Sequence, residues 1–183
     1  MKRIAMRLRA FILIAFAALI AHSAGAAVQT APNGFVVRHE ATLDAPPAKV
    51  YELLLAVGAW WDPAHTYSGD SKNLSIDARA GGCFCERLAD GGVEHMRVVY
   101  LATGKALRMS GGLGPLQGSG LAGAMTWVLA PSGSGTKLQL TYSVGGFMEG
   151  GFEKTAPAVE DMLGHQLARL KMLADTGSPV AKP

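Results

Sequence analysis

The 183-residue chain predicts an α+β domain. A curved antiparallel sheet of six to seven strands wraps around a long C-terminal helix, with two short helices after the first strand. Three observations carry that expectation. Residues 73–144 alternate apolar and polar side chains between glycine-rich turns, the period of strands. Those turns are short, so consecutive strands run antiparallel. One long amphipathic stretch near residues 157–174 has the 3.6-residue period of a helix.

Each element follows from local chemistry. Residues 1–26 read as a secretory signal peptide: Lys2, Arg3, Arg7 and Arg9 precede the apolar run 10–20, and small residues at Ala24 and Ala26 suit cleavage after Ala26. The run of 11 strongly apolar residues falls short of the ~20 that span a bilayer. A periplasmic or secreted protein with no stable membrane span after cleavage is therefore expected. Residues 27–34 form a short polar lead, and residues 34–43 begin the domain as a strand. Asp44-Ala45-Pro46-Pro47 opens a helix, since proline fits a first turn whose N–H groups have no partner. Val50, Leu53, Leu54 and Val57 give that helix one buried face, Gly58 stops it, and Trp60-Trp61-Asp62-Pro63 begins a second short turn. Strands follow at 73–78, 83–88, 93–101, 106–110, 123–129 and 137–144. Residues 111–123 hold six glycines and Pro115, the composition of a long loop or a sharply bent strand pair. The final helix buries Val159, Leu163, Gln166, Leu170 and Leu173. Gly177 and Pro179 end it, and 177–183 is expected to be a disordered tail. Residues 35–176 thus make one domain.

Composition narrows the function. The whole chain carries 17 basic and 14 acidic residues and has a pI near 9.0. Four of the basic residues and none of the acidic ones lie in the leader, so the mature chain has 13 against 14. The basic surplus that would point to nucleic acid disappears, and no basic run survives. At 49% hydrophobic and 17% charged the chain is not a disordered one, and two cysteines are too few for a disulfide-stapled mini-protein. Serine-hydrolase, nucleotide-loop, zincin and dinucleotide motifs are all missing, and no motif implies a cofactor.

A helix laid over a cupped sheet leaves space between them, and several residues could face it. Cys83 and Cys85 are two apart on one strand, so both thiols point to the same face. They read as small buried hydrophobes, as a redox pair that needs a local bend to bridge, or as part of a metal site with His95 or Glu94 and His65. With Asp90-Gly91 as a two-residue turn, Glu86 lies opposite His95 and Phe84 opposite Arg97. Glu86, His95 and Arg97 would then share one face, and Cys83, Cys85, Met96 and Val98 the other. On the cavity side Glu86 and His95 could act as acid and base or orient a polar head group. On the solvent side they form an ordinary ion pair, the more frequent arrangement for such residues. Trp60 and Trp61 are core anchors, with at most one ring, Trp61, reaching the cavity mouth.

Several strings also resemble a known family. Val50-Tyr51-Glu52-Leu53-Leu54, Trp60-Trp61, Ile76-Asp77-Ala78-Arg79-Ala80-Gly81-Gly82-Cys83-Phe84, Thr136-Lys137-Leu138-Gln139-Leu140-Thr141-Tyr142 and Leu167-Ala168-Arg169-Leu170 are similar to the START/SRPBCC superfamily. Within it they resemble the branch named after the activator of the heat-shock-protein ATPase. The resemblance spans about residues 35–174 and implies the helix-grip fold. It implies no universal catalytic motif. The expected function is the binding of a hydrophobic or amphipathic small molecule, with Trp61, Phe84, Glu86, His95 and Arg97 as contacts. The alternatives are a cavity enzyme (cyclase, isomerase or hydrolase-like) built on Glu86, His95 and Arg97, and a thiol redox or metal module built on Cys83 and Cys85.

Overall fold

A computed structural model describes residues 27–181. The predicted signal peptide lies outside them. Eight strands form one antiparallel sheet in the spatial order β1-β2-β8-β7-β6-β5-β4-β3. They are β1 Ala27–Ala31, β2 Gly34–Leu43, β3 Leu74–Ile76, β4 Cys83–Leu88, β5 Gly91–Ala102, β6 Ala106–Ser110, β7 Ala122–Ser132 and β8 Gly135–Gly145. Helix α1 (Pro47–Leu55) and three short 3₁₀ turns separate β2 from β3, and α2 (Thr155–Thr176) closes the chain.

The strand count exceeds the expected six to seven because the polar lead, residues 27–34, holds a further strand, β1. Pro32-Asn33 turns β1 back onto β2, in register from Ala27 opposite Arg38 to Ala31 opposite Gly34. Proline and asparagine are turn residues, and a side chain on Gly34 would collide with the Val144 carbonyl of β8. Gly177, at φ 77°, caps α2 by donating its N–H to the Leu173 carbonyl, and Ser178 then bonds Val180 in a local turn.

Alternation decides which face is inside. Met125, Trp127 and Leu129 of β7, Leu138, Leu140 and Tyr142 of β8, and Phe35 and Val37 of β2 are all buried. These residues two apart line the concave face, and α2 lies across it with Leu163, Gln166, Leu167 and Leu170 inward. Pro157 sits in the first turn of α2 and costs no intrahelical bond there. Among the described residues, no helix is long and apolar enough to cross a membrane.

Candidate functional site

Between α2 and one end of the sheet lies a cavity of about 570 Å³. Thr155, Ala158, Val159 and Met162 of α2 form one wall, and Trp61, Leu74, Phe84 and His95 form the wall opposite. The glycine-rich loop contributes Leu113 to Leu116, and Ala64 to Tyr67 close the remaining side. Of the residues expected at a ligand, Trp61, Phe84 and His95 therefore border one space. Trp61 meets Phe84 edge-on at 5.7 Å between ring centroids, with its indole N–H donated to the His65 carbonyl at 3.0 Å. Trp60 stays in the core against Trp127.

The β4–β5 register differs from the expected one. Cys83 pairs with Arg97 and Phe84 with Met96, but Cys85 then pairs with Glu94 and Glu86 with Val93. The residue left over is His95, a β-bulge in β5. The bulge lets His95 and Met96, neighbours in sequence, both turn inward. Two features brace it. Gln117 of the glycine-rich loop donates to the carbonyls of Glu94 and His95, and Gly111, at φ 149°, passes so close that a Cβ would lie 3.0 Å from the His95 carbonyl oxygen.

Glu86 and His95 are consequently a buried pair, 1% and 4% exposed, and not the surface ion pair. Glu86 Oε1 accepts the Ser68 N–H at 2.5 Å. Its Oε2 accepts the Tyr67 N–H at 3.1 Å and faces His95 Nε2 at 2.9 Å. Burial pushes the Glu86 carboxyl up, but the hydrogen bonds from Ser68, Tyr67 and His95 outweigh it and hold the group below its ordinary value. Burial also holds the His95 imidazole below its ordinary value, against the upward pull of Glu86. At neutral pH this is a carboxylate beside a neutral imidazole. An ionised carboxylate only accepts, so Nε2 carries the proton and Nδ1 presents a lone pair. Nδ1 is buried and has no partner. Tyr67 stacks on the imidazole at 6.0 Å and Phe84 flanks it at 5.1 Å.

Arg97 leaves the set. It lies on the outer face opposite Cys83, paired with Glu94 and donating to the Gly81 carbonyl at 3.0 Å. The extra residue at His95 puts Arg97 on the face opposite to the one alternation from Glu86 predicts. Cys83 and Cys85 also stand on that outer side, half-buried and joined as a disulfide with Cα atoms 5.3 Å apart. They do not share a face with Met96 and Val98, and bonded sulfurs separated from His95 by the sheet cannot form the metal site considered for them. Among the described residues, no group of three or more His, Cys, Asp or Glu could hold a metal ion.

Other residues at the site have partners that spacing does not reveal. Gln166 is fully buried, accepts the Asp62 N–H at 2.8 Å and bonds His65 Nδ1 at 3.1 Å, tying α2 to the cavity loop. His165 bonds Asp62 beside it at 2.8 Å. Tyr142 donates its hydroxyl to the Gly111 carbonyl at 3.1 Å and accepts the Leu113 N–H at 2.8 Å. Its hydroxyl is pushed up to about 12 by burial, which outweighs the bond from Leu113.

A sheet gripping one long helix over an apolar cavity defines the helix-grip class. Residues 35–175 match the family described as polyketide cyclase / dehydrase and lipid transport, and the chain belongs to it. No curated protein matches the chain. Similar solved structures include the Aha1 dimer from Colwellia psychrerythraea, 19% identical, TM-score 0.59, covering 78% of this chain and 97% of that one. A conserved protein of unknown function, EF2215 from Enterococcus faecalis, is 18% identical with TM-score 0.57, covering 86% and 80%. CalU16 from Micromonospora echinospora is 18% identical with TM-score 0.56, covering 85% and 84%. At these identities the likeness is one of fold.

Proposed function

We propose that the mature protein, exported and cleaved after Ala26, holds a hydrophobic or amphipathic small molecule between α2 and the sheet. The observation that carries this reading is the cavity itself. Its volume of about 570 Å³ falls within the roughly 300–1,000 Å³ usual for small-molecule sites, and its mostly apolar walls surround a few polar groups. Export is supported by the three-part leader, by a cut that falls immediately before the first residue of β1, and by the Cys83–Cys85 disulfide, a bond of oxidising compartments. Native mass spectrometry of protein recovered from the exported fraction tests both parts. The expected chain begins at Ala27 and carries one small molecule that denaturation releases. A folded Val159→Trp variant, its cavity filled, carries none. Recovery of chains without ligand, together with no uptake of any apolar probe, would overturn the binding reading.

The buried Glu86–His95 pair supports a second reading, a cavity enzyme in which the imidazole exchanges a proton with substrate and the carboxylate orients it. Arg97 has no part in this version. An enzyme should lose turnover on Glu86→Gln while keeping ligand affinity, whereas a carrier has no turnover to lose.

A further inference from the structure

We propose that the Cys83–Cys85 disulfide, on the outer face of the sheet, oxidises peptides that carry two thiols, with Cys85 the sulfur attacked and Cys83 the sulfur that leaves. This activity is separate from the cavity, which lies across the sheet. The β4–β5 pairing shifts register between Phe84 and Cys85, and the two Cα atoms stand 5.3 Å apart, inside the usual span for a bridge. Both cysteines are half-buried, not sealed in the core. A bond that closes so short a loop takes little entropy from the unfolded chain. Folding in turn does little to hold it closed against reduction.

Charge makes the two sulfurs unequal. Arg97 is the cross-strand partner of Cys83 and is fixed by the Gly81 carbonyl and by Glu94. Glu94 is the cross-strand partner of Cys85. A cation opposite Cys83 and an anion opposite Cys85 favour the thiolate on Cys83. Access points the same way. Cys85, and not Cys83, borders an open groove of about 530 Å³, with Lys72, Ser75 and Arg87 along it. Its two cations draw an incoming thiolate, and its polar walls suit a peptide. In the first step a substrate thiolate attacks Cys85 Sγ, the S–S bond breaks, and the electron pair leaves on Cys83 Sγ. The second substrate thiolate then attacks the substrate sulfur of the mixed disulfide, and Cys85 leaves as a thiolate. The peptide loses two electrons and two protons and closes its own disulfide, and the protein gains both as a dithiol.

A short synthetic peptide with two cysteines, mixed with the oxidised mature protein and quenched in acid, tests the proposal by mass spectrometry. The protein should gain two hydrogens as the peptide loses two, one for one. The native protein should react at least about threefold faster than the same protein unfolded in urea, because the charges that polarise the bond act only in the fold. Arg97→Gln should remove that advantage and Arg97→Lys restore it, with the rate in urea unchanged in both. With glutathione disulfide as the probe, Cys83→Ser should form a lasting mixed disulfide at Cys85, and Cys85→Ser should form its own on the order of tenfold more slowly. The comparison of native with unfolded protein uses the unaltered chain, so misfolding of a variant does not mask the result. Mature protein recovered with free thiols, a native bond that reacts more slowly than in urea, or equal adduct rates in the two serine variants would overturn the proposal.

Discussion

Glu86 is a carboxylate without contact with solvent, and its survival as an ion depends on three donors: the N–H groups of Tyr67 and Ser68 and the imidazole of His95. Folding depresses the pKa of both partners, so both bind protons more readily when unfolded. Their contribution to stability is complete above the unfolded values and is lost as pH falls through the folded ones. The first loss begins below about 6.5, as unfolded histidine gains its proton, and the second below about 4.5 for Glu86. Urea unfolding across that range should show a midpoint that declines in both intervals. His95→Phe should remove the upper one, with Glu86 and Tyr67 the titratable groups facing the position. Parallel profiles for variant and native protein would show that the pair does not titrate this way. The two residues were legible in the sequence as a carboxylate and an imidazole facing each other across a hairpin. Their burial was not, because alternation places His95 and Met96 on opposite faces. One extra residue, braced by Gly111 and Gln117 from a loop distant in sequence, brings both inside.

The element that completes the cavity is the glycine-rich loop between β6 and β7, and a single hydroxyl holds its first turn. Tyr142 projects from β8 to bond both Gly111 and Leu113, and Gly123 leaves no room for a side chain beside that ring. Tyr142→Phe should leave a buried N–H and carbonyl without their partner, at about 1–3 kcal/mol. Hydrogen exchange should accelerate over 111–121 and remain slow in β2; acceleration spread evenly over the sheet would contradict a local role. Helix α2 is anchored comparably through Gln166. Gln166→Leu, close to isosteric, should cost about 1–3 kcal/mol by stranding the Asp62 N–H, measurable as a lower thermal midpoint. The stripe that carries Gln166 could be read from spacing alone, since Leu163, Gln166 and Leu170 recur at helical intervals. The purpose of an amide on that stripe could not, because Asp62 precedes it by 104 residues and meets it only after the sheet has closed.

At the scale of the molecule the sheet separates two chemistries. Its concave face holds the cavity and the Glu86–His95 pair, and its outer face holds Arg97, Glu94 and the Cys83–Cys85 disulfide. That overall architecture was legible: short turns forced a meander, and one amphipathic stretch supplied the helix. The face assignment was misread because it depended on the same bulge. The consequence concerns the thiols. A bond spanning two positions closes so small a loop that it restricts the unfolded chain little, roughly 1–2 kcal/mol by loop entropy. Its two cysteines alternate along β4 with the buried Phe84 and Glu86, on the opposite face of the strand. Reduction should add the mass of two hydrogens and lower the unfolding midpoint slightly. Apolar probes should bind as before, because the wall formed by Phe84 and His95 rests on core packing and on Glu86. If reduction instead abolished binding, the two faces would be coupled through β4, and the outer thiols would have to be counted among the determinants of the site.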